Sequence, residues 1–509
     1  MSRTRQFFLV LAAVLIVSRL CHTGVLWAEE TLPLAAARQM HFGKTLYREV
    51  WFDKPPLAPL LDWAIGAYDG WPLRWAGALY AVLACWLAYR FARDLWGERE
   101  GLWAAGLLGF FLVFDFPSAA IPLAADQLML APHLAAVWLA FRRRPFWSGA
   151  VAGLALLANP KGVLVLAACV VWHPAGVLWT VAGFGAVTGA SAACLPAAYW
   201  DEVWRWGRVY AGSTFVEAPL RNGVVRTLGW LGFHSGAVVL LAGTRRVYRN
   251  VNWRQVGQAL SPARKTMEQI GQAKGPDLPA SGEASMTSCG PQGPDDRPGG
   301  LRHQWLGWTL ISLVGVVAGL RFFPRYYFQL LPILVLLAAH GAVKAGRNLR
   351  IAAAFLLLIP AVRFGPTYLY AVRNQDWRDT AMDRDSRAAA GLVRQMAKPG
   401  DTLLVWGYRP EIYVYSGLPA ATMYLDSQPL TGVPADRHLT QSAPVETEDA
   451  RARRAEVARS HPAFILDGLG PYNPHLAITA YPDLQTWFAG YEEVGRTPET
   501  RVFRRRPPV

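Results

Sequence analysis

Charge is scarce in this chain: 17% of its 509 residues are Asp, Glu, Lys or Arg, against 53% apolar. Cysteine is scarcer still. Cys21, Cys85, Cys169, Cys194 and Cys289 show no CxxC and no paired spacing, which argues against a zinc site and a disulfide framework. No internal repeat is visible, and that argues against the repeated halves of many transporters. No soluble stretch interleaves basic residues with aromatics, so the net charge of +15 does not point to nucleic acid. The N-terminal run MSRTRQFFLVL continues to Trp27 without a small-residue cleavage site. It reads as an uncleaved first span, with a cleaved signal peptide as the competing reading.

What the chain does have is long apolar runs with charges only between them. Eleven such segments cover roughly 6–27, 71–92, 100–116, 126–141, 146–158, 162–172, 174–196, 224–243, 304–321, 326–343 and 350–370. Runs of this kind suit helices that cross about 30 Å of hydrocarbon, and the 22 Trp suit helix ends at the membrane–water boundary. Arg142 to Arg144, Arg245-Arg246 and the Lys344/Arg347/Arg350 group each close an apolar run. Under the positive-inside rule those loops are cytoplasmic, the N-terminus lies inside, and an odd number of crossings leaves the C-terminus outside. The predicted fold class is therefore an α-helical polytopic membrane protein of about eleven spans in an inner (cytoplasmic) membrane. Residues 1–372 carry the spans, and 373–509 form a small extracytoplasmic α/β domain.

Within the tail, Asp401 to Trp406 and Ala463 to Asp467 predict buried strands, and Arg384 to Met396 and Glu446 to Arg459 predict helices. Residues 249–302, rich in Gly, Pro, Ser and Gln, predict a disordered cytoplasmic insert. Segments 146–158 and 162–172 are too short for ordinary spans, because thirteen residues of helix reach only about 20 Å. Asn159-Pro160-Lys161-Gly162 separates them, so they predict half-helices meeting at a cavity. His133 lies seven residues after Asp126 on the same helical face. The commoner fate of such a histidine is a hydrogen bond to a neighbouring helix.

The outer loop from Ala28 to Gly70 is the most informative region. It carries Glu29 and Glu30 at the mouth of the first span, then Phe52-Asp53-Lys54-Pro55-Pro56-Leu57 about twenty residues later. Carboxylates at a helix end are usually just solvated. Ionisable groups at membrane mouths, however, often serve a substrate.

The run WAEETLPLAAARQMHFGKTLYREVWFDKPPL resembles the first outer loop of the C-type multi-spanning glycosyltransferases. That group includes the protein O-mannosyltransferases, the lipid A aminoarabinose transferases and related transferases acting on lipopolysaccharide sugars. Its pattern is an acidic pair, a Gly-to-Tyr element and a KPP element, matched here by Glu29-Glu30, Gly43 to Tyr47 and Phe52 to Pro56. The family more often has Asp-Glu at the pair. Further along, Asp126, Asn159-Pro160-Lys161-Gly162, Arg325-Tyr326-Tyr327 with Pro332, and Val405 to Tyr413 resemble later elements of the family. The likeness covers most of the chain outside 249–302.

The resemblance implies transfer of a sugar from a polyprenyl-phosphate carrier to an extracytoplasmic acceptor, with the lipid bilayer as setting. It implies Lys54, Lys161 and Arg325 on the leaving phosphate, whose charge needs preorganised cations, although a single Lys or Arg at a helix end often only snorkels. It implies a general base in the acidic pair, either Glu29 or Glu30, since one carboxylate suffices when phosphate leaves unprotonated. Asp53, Asp126, Tyr326 and Tyr327 are expected to bind substrate. Carboxylates would suit a hard divalent cation, but no metal motif is visible and a cation is optional. A polytopic transporter or lipid flippase is the alternative class; its charges would gather at the midplane, whereas these cluster at the outer face.

Overall fold

The computed structural model describes residues 2–212, 218–249, 300–375, 377–435, 438 and 441–507. Apart from its two ends, the insert expected at 249–302 lies outside the described residues.

Every apolar segment read from the sequence is helical, but the segments differ in length. Trp71–Trp96, Pro174–Cys194 and Arg347–Val372 are long and apolar enough to cross a membrane on their own. Pro219–Phe233 and Ser235–Thr244, bent by 76° at a one-residue break, qualify together as a fourth. The expected count of about eleven spans is thus corrected to three or four helices long and apolar enough to cross a membrane among the described residues. The reason is local. Ala125–Phe141, Pro145–Ala158, Gly162–Trp172 and Leu331–Lys344 are apolar helices of 10–17 residues, which at about 1.5 Å per residue reach only part way.

The helices pack closely through small residues, as they must where lipid offers no hydrophobic drive. Gly149 and Gly183 face the opposing backbones at Thr180 and Phe146, and a Cβ on either would collide with main chain. The outer faces remain apolar: Phe355, Leu358, Val362 and Leu369 of Arg347–Val372 are all exposed. His133 accepts a hydrogen bond from Trp308 Nε1 at 2.8 Å, tying two helices together as expected.

The tail holds a four-stranded sheet: β1 (Leu403–Trp406), β2 (Phe464–Asp467), β3 (Tyr491–Arg496) and β4 (Arg501–Arg505), in the order β1-β2-β4-β3. β1 and β2 are parallel, with Leu403 opposite Phe464, and the remaining pairs are antiparallel. The expected helices are present as Ala381–Met396 and Glu448–Arg459. The β3–β4 hairpin was not expected, because its run of Glu and Arg residues hides the strand alternation.

Packing crosses the expected boundary at 372/373. Trp51 and Trp206, from the helical part, are enclosed with Leu404, Trp406, Ile465 and Phe503 of the tail. Leu34, Tyr47, Phe52 and Val203 share a second cluster with Val405, Ile412 and Phe464. The Trp51 amide also donates to the Met423 carbonyl at 2.9 Å. The first outer loop and the tail are therefore one packed body above the helices.

Candidate functional site

The acidic pair opens the helix Ala28–His41. Neighbouring residues on a helix point about 100° apart, and here the two carboxylates separate completely. Glu30 turns inward and is fully buried. It accepts the Trp27 amide at 2.9 Å and takes both Nη groups of Arg74, at 2.9 and 2.5 Å. Arg74, itself buried, also donates to the carbonyls of His22 and Val25. These bonds pin residues 22–30 to the start of the helix Trp71–Trp96.

Glu29 turns instead into a cavity of about 660 Å³ between the helices and the tail. Its Oε1 lies 2.6 Å from Arg325 Nη1. Arg325 Nε is 3.6 Å from Asp126, and Lys161 Nζ is 3.5 Å from the same carboxylate. Asn159 Nδ2 donates to Asp126 at 3.0 Å, and Asn159 Oδ1 accepts the Lys161 amide. The break between the two short helices is thus a turn that presents Lys161 to the cavity. The ammonium sits 3.2 Å from the centroid of the Tyr326 ring, a cation–π contact.

The first outer loop supplies the remaining charges. Lys54 Nζ bonds Asp53 at 2.7 Å. The loop is held by Tyr47, whose hydroxyl donates to the Lys54 carbonyl, and by Glu202, which accepts the Phe52 amide at 2.8 Å. Burial pushes the Glu202 carboxyl up to about 8, against the pull of that amide. Burial works against the charged form of Lys54, but Asp53 and Tyr408 outweigh it, and the net direction is upward. Behind them, burial and the nearby Asp53 push the Asp426 carboxyl up to about 7. Glu29 lies within electrostatic reach of Lys54, Lys161, Arg325 and Tyr408.

Of the residues singled out from the sequence, Glu29, Asp53, Lys54, Asp126, Lys161, Arg325 and Tyr326 line this one cavity. Glu30 and Tyr327 do not. Glu30 is committed to Arg74. The Tyr327 hydroxyl lies 2.8 Å from Thr227 Oγ1 and its ring stacks on Trp230, so it braces two helices.

The sequence reading missed part of the lining. Trp204, Trp206, Arg208 and Tyr210 come from the helical stretch Trp200–Gly212, Arg321 precedes the Arg325 element, and Gln428, His438 and Tyr472 belong to the tail. The available signal was the Trp406-to-Glu411 element, whose Tyr408 lines the cavity. Among the described residues, no three His, Cys, Asp or Glu side chains gather as they would around a metal ion. Glu29 and Asp126 face Arg325 and Lys161 instead, so the donor set does not fit a cation.

These elements define a helical, membrane-associated fold that closes over the cavity with a small α/β tail. The chain superposes on ArnT from Cupriavidus metallidurans bound to undecaprenyl phosphate with a TM-score of 0.57 and 14% identity, covering 98% of this chain and 97% of that one. A weaker likeness, TM-score 0.45 and 13% identity over 96% of this chain and 71% of the other, links it to the Archaeoglobus fulgidus oligosaccharyltransferase in complex with Zn and sulfate. No family model matches the chain, and no curated protein matches it in sequence.

Proposed function

We propose that this protein is a membrane glycosyltransferase that moves a sugar from a polyprenyl-phosphate donor to an acceptor outside the cytoplasm. The observation that carries the reading is the gathering of Lys54, Lys161 and Arg325 around Glu29 in one cavity. A lipid phosphate entering there would take up the guanidinium of Arg325 and the ammonium groups. Glu29, released from Arg325, would then face the anomeric carbon.

The acceptor hydroxyl attacks that carbon and passes its proton to Glu29. The bond from the carbon to the phosphate oxygen breaks, and its electron pair leaves with the lipid phosphate. The cations hold the departing charge in a site shielded from water, where such contacts are strongest. Asp126 and Asn159 orient Lys161 and Arg325, and Tyr326 packs beneath the Lys161 ammonium.

The test is release of free polyprenyl phosphate. Purified protein given an acceptor-containing membrane extract and a panel of undecaprenyl-phosphate sugars should discharge at least one of them. A transporter would bind or move the lipid and leave its sugar bond intact. Lys161→Ala and Arg325→Ala should each lower turnover at limiting donor by about ten- to a hundredfold, since each removes a charge-assisted bond to one phosphate. Wild-type turnover in both would remove these residues from the donor site.

The same reading places the tail outside. Ala443 is exposed on the tail surface, so Ala443→Cys in a cysteine-free background should react with an impermeant maleimide on intact spheroplasts. Labelling only after lysis would reverse the orientation, which rests on the Arg and Lys distribution.

A further inference from the structure

The cavity has two unlike walls. The wall from the helices and first loop carries Glu29, Asp126, Lys161 and Arg325. The wall from the tail carries Tyr408, Gln428, His438, Leu469 and Tyr472, together with Arg409, whose charge is already taken. Arg409 is buried and bonds Asp385 at 2.9 Å and Glu499 at 2.9 Å. The tail wall therefore presents aromatic faces and neutral hydrogen-bonding groups with no uncompensated charge.

Tyr408 lines the cavity and packs against the core shared by the first loop and the tail, and its sequence neighbours are fixed on both sides. On one side, Trp406 Nε1 donates to the Leu476 carbonyl, and the Gly407 amide donates to Ser427 Oγ at 3.0 Å. Gly407 has φ +121° and lies against the Gly468–Leu469 backbone, so a side chain there would be strained. On the other side, Arg409 is fixed by four partners: Asp385, Ser386, Tyr472 and Glu499. Trp406, Gly407 and Arg409 are thus each anchored through their own bonds, which fixes the backbone that carries Tyr408. Tyr408 reaches the cavity next to Lys54, within electrostatic reach of Glu29.

We propose that Tyr408 is a specificity-determining contact for the transferred sugar, and that the tail wall around it is the sugar subsite. The inference rests on the glycosyltransferase reading above. A sugar ring offers C–H faces and neutral hydroxyls. An aromatic ring with a hydroxyl at its edge matches both, whereas the phosphate of the same donor is matched by the charged wall. The small number of well-placed polar groups on an otherwise apolar surface is the usual way a site fixes orientation.

The test compares two lipids in detergent: undecaprenyl phosphate, and the sugar-bearing form that the wild type discharges. Wild-type protein should bind the sugar-bearing lipid more tightly than the bare one. Tyr408→Ala should shrink that preference by about tenfold and Tyr408→Phe by about threefold, the scale of one neutral hydrogen bond plus a ring contact. Lys161→Ala should weaken both lipids alike. The phenylalanine variant keeps the ring and its packing, so it decides the matter if the alanine variant is not recovered folded. An unchanged preference, an equal loss for both lipids, or a rise confined to the acceptor KM would overturn the assignment. Failure of the wild type to discharge any sugar would instead overturn the function on which it rests.

Discussion

Glu29→Gln is expected to slow sugar transfer by about 10²- to 10⁴-fold while the amount of folded protein stays unchanged. Glu29 is the carboxylate that points into the cavity and is central to its cations. Glutamine keeps the shape and can still bond Arg325, but it cannot take the acceptor proton. Donor binding should be retained, so the loss should appear in kcat more than in the donor KM. Single-turnover release of lipid phosphate is the measurement. A Glu29→Gln protein that turns over normally would remove it as the base and move attention to Asp126, the next carboxylate in the cavity.

Glu30→Gln is expected to fail in a different way, by loss of the protein from the membrane. Glu30 and Arg74 are both buried, and Arg74 spends its donors on Glu30 and two carbonyls. Removing one partner of a buried ion pair costs about 3–5 kcal/mol because the other charge is left unmatched. That is a large part of the about 5–15 kcal/mol that holds an ordinary domain together. Arg74→Met should be equally damaging, and Glu30→Leu combined with Arg74→Met should recover part of the yield, since both charges are then gone. Yield and melting temperature in detergent report the result. Normal yield and turnover in Glu30→Gln would show that the pair is dispensable.

The contrast between these two residues marks where the sequence stops being legible. An acidic pair at a span mouth was visible, and so was the need for one base. Which member faces the cavity depends on the phase at which the helix starts, and Trp27 sets that phase by donating its amide to Glu30. Tyr326 and Tyr327 repeat the lesson. They are adjacent aromatics, one beneath Lys161 and the other against Trp230, and residue type alone does not separate them. Lys161 was legible because the Asn159-to-Gly162 break had to be accommodated somewhere, and a cavity is the place where irregular backbone is tolerated within a membrane protein. Tyr408 was only half legible. Its motif stood out, but the bonds that fix its neighbours Gly407 and Arg409 run to Ser427, Asp385 and Glu499, which no local pattern connects. The span count erred because hydropathy registers apolar composition and not helix length. The β3–β4 hairpin was hidden by its Glu and Arg residues, which mask the alternation even in β4, an interior strand paired on both sides.

The cores shared between the first outer loop and the tail set a schedule for the protein's own synthesis. Trp51 is enclosed by Leu404, Trp406 and Ile465, and about 350 residues of chain separate it from the first of these. At about 5–20 residues per second, that distance is roughly twenty to seventy seconds of translation. Throughout that interval Lys54 and Asp53 have already been synthesised, yet the packing that fixes them does not exist. A competent site is therefore absent from every nascent chain and arises only once the tail has been delivered, so that completion of the polypeptide itself licenses activity.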